Sequence, residues 1–168
     1  RVEYLWSPFG EYLLHDGLLV FHGGWGKIAA AASTQYVIDR WNPQTIINIG
    51  TCGGIAGAID RLSIVLVTRT VVYDIGELMG DSREAIDAYS TDIDIDWLGD
   101  ETPTPVIQSP LLSADRDLVP GEIETLRSKF DVKAVDWESG AIAWVSKRNG
   151  KRVLILRAVT DLVGSAGG

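Results

Sequence analysis

The sequence predicts an α/β protein, a three-layer sandwich around a mixed, largely parallel sheet, with residues 1–168 forming a single domain. Three observations predict it. Val153-Leu154-Ile155-Leu156 is apolar at every position, the pattern of a parallel strand covered on both faces. Before it, Glu138, Ile142 and Val145 fall at i, i+4 and i+7, one face of a helix that follows the strand end Val135-Asp136. Farther upstream, Gly23-Gly24-Trp25-Gly26-Lys27 joins another apolar run to a second helix.

Composition narrows the functional classes. A hydrophobic fraction of 46% with 23% charged residues is that of an ordinary soluble domain. The formal net charge of −8 argues against a nucleic-acid or acidic-membrane partner, since both demand basic patches. Apolar runs are strand-length, far short of a membrane span, and no signal-peptide pattern opens the chain. Cys52 is the only cysteine, so no internal disulfide can form. A reducing, cytoplasmic location is expected. Clusters of Cys and His that would hold a metal are absent from the sequence, and no cofactor is expected.

In chain order, Glu11 to His15 and Leu18 to His22 flank Asp16-Gly17, a strong two-residue hairpin signal. A helix is predicted from about Ile28 to Trp41, ended by Asn42-Pro43. The glycine turn before it fails as a P-loop, which needs glycine at 21 and Ser or Thr at 28, where Phe21 and Ile28 stand. It fits the dinucleotide fingerprint only loosely, because Thr45 to Ile49, the next strand, ends without a ribose-binding acid. What remains is a tight turn at a helix N-terminus, suited to polar ligand groups, or a glycine chosen only for backbone shape.

The Thr45 strand runs into Gly50-Thr51-Cys52-Gly53-Gly54, whose small residues let a ligand approach the backbone. Cys52 reads as a packing residue rather than a nucleophile, since neither His15 nor His22 lies on an element that brings it near. Ser63 to Val72 reads as a strand. Asp92-Ile93-Asp94-Ile95-Asp96 lacks the glycine and glutamate of an EF-hand loop, with Trp97 and Pro103 in their places. It reads instead as an edge strand with one wet face. Val106 to Gln108 is a further strand, and a helix begins near Pro120.

Gly150 stops the helix that follows Glu138, and the strand after it ends in Arg157-Ala158-Val159-Thr160-Asp161. Ligands of open α/β sheets bind beyond strand carboxyl ends, so Glu138 and Asp161 are expected to face a common cleft. On pattern alone Glu138 could equally be an ordinary first-turn acid, and Asp161 the cap of a helix beginning after it.

Four ordered segments go further: Gly24 to Lys27 before an alanine-rich helix, Ile47 to Gly54, Val135 to Glu138, and Arg157 to Asp161. Together they resemble the purine nucleoside phosphorylase/nucleosidase superfamily, and within it the 5′-methylthioadenosine/S-adenosylhomocysteine nucleosidases. The resemblance implies the phosphorylase/hydrolase-like fold and a purine nucleoside as the small-molecule partner; with the family's first strand and last helix unmatched, apolar sheet is left uncovered and a homodimer is expected. It implies that Glu138 grips the ribose hydroxyls with Trp137 beneath the sugar. Asp161 would bond the purine and deliver a proton to its five-membered ring. Thr51, Cys52 and Gly53 would form the loop facing the substrate, and the backbone of Leu118 would meet the purine edge.

Asn48 stands where phosphate-using relatives carry arginine, so hydrolysis of the N-glycosidic bond is expected. The family's first strand, with its water-activating glutamate, and its last long helix find no match in 1–168, and Asp117 replaces a purine-stacking aromatic. The alternatives are therefore a nucleoside-binding relative that does not cut, or a phosphate-dependent phosphorylase.

Overall fold

The computed structural model describes residues 4–99 and 101–164. Among these residues nine strands and four α-helices follow one another. They are β1 (Leu5–Ser7), β2 (Gly10–His15), β3 (Leu18–His22), α1 (Gly26–Trp41), β4 (Thr45–Ile55), β5 (Ile64–Val72), α2 (Ser82–Tyr89), β6 (Thr91–Asp92), β7 (Ile107–Ser113), α3 (Ile123–Phe130), β8 (Ala134–Asp136), α4 (Ser139–Arg148) and β9 (Arg152–Val163). The central sheet runs β6-β5-β7-β8-β4-β9, with β5 also pairing β9. Pairs β5/β7, β7/β8 and β4/β9 are parallel; β4/β8, β5/β6 and β5/β9 are antiparallel. This is the expected mixed α/β architecture. Leu111 and Leu112, successive on β7, enter two different apolar cores. One core takes Ala143 from α4, the other Leu126 from α3, so helices cover the sheet from both faces.

The hairpin forms as its turn dictates, with Asp16 and Gly17 both at positive φ. Its three-stranded sheet β1-β2-β3 stands apart from the central one. Tyr12 and Phe21 stack at 5.9 Å, and Trp41 of α1 meets Tyr12 edge-on at 5.1 Å. Helix α1 ends at Asn42, which turns left-handed and donates its N–H to the Ile38 carbonyl at 2.9 Å.

Several boundaries differ from expectation. β7 continues through Pro110, which cannot donate to a ladder; opposite it β5 bulges between Val67 and Arg69, which accommodates the missing bond. The Asp92–Asp96 edge strand shrinks to Thr91–Asp92, followed by a 3-10 turn at Asp96–Leu98. Its alternation survives: Ile93 is buried while Asp92 and Asp94 are exposed. Asp161 does not follow β9 but lies inside it, so the described residues give it no helix to cap. The apolar run of β9 is covered on one face only. Val153 and Ile155 are buried, whereas Leu154 and Leu156 are half-buried and pair with Ile47 and Ile49 of β4, which are 55% and 74% exposed.

Candidate active site

Three neighbouring parallel strands, β5, β7 and β8, lead at their carboxyl ends to Asp74, Asp115 and Glu138. All three carboxylates converge on the N-terminus of α1. That helix has no acid in its first turn and no side-chain cap of its own. Its first amides are instead satisfied from distant parts of the chain: Gly26 N–H donates to Glu138 Oε1 at 2.9 Å, and Lys27 N–H to Asp115 Oδ1 at 2.7 Å. The Lys27 ammonium donates to Asp74 Oδ1 and lies 3.9 Å from Asp115 Oδ2, while Asp115 N–H donates to Asp74 Oδ2 at 3.0 Å. Gly26 has φ +78°, and a β-carbon there would stand 2.9 Å from Asp115 Oδ1, so the turn requires glycine.

Glu138 is the residue immediately before α4, at its cap rather than within its first turn. Beneath it lies a buried polar network. Asp136 and Arg157 form an ion pair, Nε to Oδ2 2.8 Å, with side chains only 2% and 4% exposed. Arg157 Nη2 also donates to Ser139 Oγ at 2.9 Å and to Asn48 Oδ1, and Ser139 Oγ donates to Asp136. The Ser139 amide adds a bond to Asp136 at 3.2 Å. Every charged group here has partners, the condition under which a buried ion pair is tolerated. The guanidinium lies against Gly50, where a β-carbon would come within 2.4 Å of Nη1. Asn48 thus accepts from an arginine of β9.

Asp161 is placed by a second irregularity. The β4/β9 register shifts between Cys52 and Gly53: Cys52 pairs Val159, but Gly53 pairs Asp161. Thr160 is the extra residue, and its hydroxyl donates to Asp161 Oδ1 at 2.9 Å. A β-carbon on Gly53 would lie 3.3 Å from Asp161 Oδ2, so the glycine and the exposed carboxylate sit side by side.

Of the other expected site residues, Thr51 and Trp137 are exposed. Leu118 packs its side chain into the core with Leu112 and Leu126. Cys52 is 5% exposed. Burial pushes its thiol up to about 12, the negative charges of Asp136 and Asp161 adding to the effect while Arg157 opposes it. It is no nucleophile at neutral pH.

Glu138 and Asp161 are held by separate hydrogen bonds, from the Gly26 amide and the Thr160 hydroxyl, and the Asp136–Arg157 pair links the segments that carry them. Asp74, Asp115, Asp136 and Ser139 were not singled out by sequence reasoning. The signal available for the first two was an acid one or two residues past an apolar strand. Two surface grooves, of about 200 and 690 Å³, share no residue with these clusters. Among the described residues no group of three or more His, Cys, Asp or Glu is arranged to hold a metal, and no helix is long and apolar enough to cross a membrane.

A family model described as the phosphorylase superfamily matches residues 9–168. The 5′-methylthioadenosine/S-adenosylhomocysteine nucleosidase of Maridesulfovibrio salexigens is 28% identical over 178 residues, covering 95% of this chain and 77% of the relative. Among solved structures, Helicobacter pylori MTAN superposes with a TM-score of 0.80 at 18% identity, over 95% of this chain and 78% of that one. The native futalosine hydrolase of the same organism gives 0.80 at 17% identity, over 95% and 77%. The equal scores show that fold alone does not choose between those two.

Proposed function

The chain belongs to the phosphorylase superfamily, and from that premise we propose that it is a purine nucleoside N-ribosyl hydrolase. Its substrate is an adenosine-type nucleoside such as methylthioadenosine, in keeping with the activity named for its 28%-identical relative. The observation that carries the reading is that these two carboxylates sit in different settings. Glu138 accepts from a backbone amide at a helix N-terminus; Asp161 is exposed beside Gly53.

The chemistry uses that difference. Breaking an N-glycosidic bond builds positive charge on the sugar and negative charge on the departing purine. Glu138, with Oε1 committed to the Gly26 amide, offers Oε2 to the ribose hydroxyls and its charge to the developing oxocarbenium. Asp161, when protonated, is the acid that hands a proton to the five-membered ring of the purine. The substrate-facing loop is Thr51, Cys52 and Gly53, where the glycine leaves the carboxylate uncovered. Trp137 lies under the sugar, and the Leu118 side chain is turned into the core, leaving its backbone for the purine edge.

Water rather than phosphate is the acceptor. The helix N-terminus where an oxyanion would dock already has its first two amides bonded to Glu138 and Asp115, and three carboxylates there face one lysine. Arg157 is consumed by Asp136, Ser139 and Asn48. A dianion finds no free cation among these groups.

The exposed apolar strip of Ile47 and Ile49 beside Leu154 and Leu156 supports a homodimer. A single, buried cysteine fits a cytoplasmic setting. Incubation with a panel of purine nucleosides, with and without phosphate, tests the activity through release of free base. Release independent of phosphate is expected. Binding without release would point to a non-catalytic relative, and release only with phosphate to a phosphorylase.

A further inference from the structure

The bond from Gly26 to Glu138 depends on how the first turn of α1 is held, and that turn has no local cap. Its anchor is the side chain of Lys27, which is 20% exposed and paired with an Asp74 side chain 15% exposed. Asp115 accepts from the Lys27 amide and lies 3.9 Å from its ammonium. Without the ammonium, three carboxylates would share one helix N-terminus with no cation among them.

We infer that Lys27 is a positioning residue for Glu138. Resting on the nucleosidase reading, it thereby sets the preference for ribosides over 2′-deoxyribosides. The ammonium fixes Asp74 and Asp115; these fix the α1 turn; the Gly26 amide then holds Glu138 Oε1, leaving Oε2 aimed at the sugar. Lys27 touches no substrate in this scheme and acts only through the glycine amide.

Two readouts test it on the intact protein. The first is the ratio of kcat/KM for adenosine to that for 2′-deoxyadenosine in wild type, K27M, K27R and E138Q. K27M should lower the ratio by about tenfold, the scale of one charge-assisted hydrogen bond, mainly through KM for the riboside. K27R, keeping the charge, should recover part of it. The second needs no turnover: hydrogen exchange at the Gly26 amide, followed by NMR without substrate. Protection should be lost in both K27M and E138A, which has no acceptor for the Gly26 N–H, while amides from Ala30 to Ile38 stay protected. If K27M keeps Gly26 protected, or loses protection along all of α1, Lys27 is not positioning Glu138 and the inference fails. An unchanged riboside ratio with a selectively lost Gly26 bond would refute the specificity role. Failure of wild type to release base from any nucleoside would sink the nucleosidase reading and, with it, the specificity role, while the exchange readout would still decide whether Lys27 positions Glu138.

Discussion

Cys52 shows how far a residue's surroundings decide its chemistry. Its place among glycines was legible as packing, and the structure buries it within reach of the charges of Asp136, Arg157 and Asp161. The sign of the consequence is fixed. The folded thiol keeps its proton up to about 12, while an unfolded one loses it near the ordinary value of 9.0. Stability from this group is therefore intact below pH 9 and falls by about 1.4 kcal/mol per pH unit above it. Melting curves from pH 8 to 11 should show wild type losing stability faster than Cys52→Ala. Equal alkaline slopes would contradict the burial argument. Glu138 and Asp161 stand out in the sequence as acids, and the structure sets one at the cap of α4 and the other inside β9. Arg157 and Asp136 were not recognised as a pair, since 21 residues separate them and only the crossing of β8, β4 and β9 brings them together.

Among the elements, the strands from β2 onward were legible, but β1 and the strand lengths were not. Pro110 argues locally against a strand, yet a bulge in the neighbouring β5 absorbs it, and no local pattern reports a neighbour's bulge. The shift at Cys52/Gly53 is of the same kind and matters more, because it sets where Asp161 lies. Gly50 joins element to site: it leaves room on β4 for the Arg157 guanidinium, which Asp136, Asn48 and Ser139 hold in place. Gly50→Ala should force either the strand or the arginine to move, costing about 1–3 kcal/mol by overpacking. Differential scanning calorimetry should then record a melting temperature lower by several degrees. An unchanged melting temperature would show that the guanidinium has space to spare.

For the molecule as a whole, the mixed α/β architecture followed from the alternation of strands and helices. The separation of β1-β2-β3 from the central sheet did not, because hairpin signals say nothing about what a hairpin packs against. Nor did the sequence reveal that one face of β4 and β9 stays open, since an apolar run reads alike whether covered once or twice. That face gives the expectation of dimers at micromolar concentration in sedimentation velocity, with Ile49→Lys shifting the protein to monomer. A wild-type monomer would remove the homodimer from the account. The activity is tested most directly at Asp161. Base release from methylthioadenosine, measured alongside calorimetric binding of the same nucleoside, should separate wild type from Asp161→Asn. Asparagine can still hydrogen-bond but has no acidic proton to give, so binding should persist and release should fall by at least a hundredfold, the lower end of what a general acid contributes. Release by the asparagine variant at the wild-type rate would contradict a proton-donating role for Asp161.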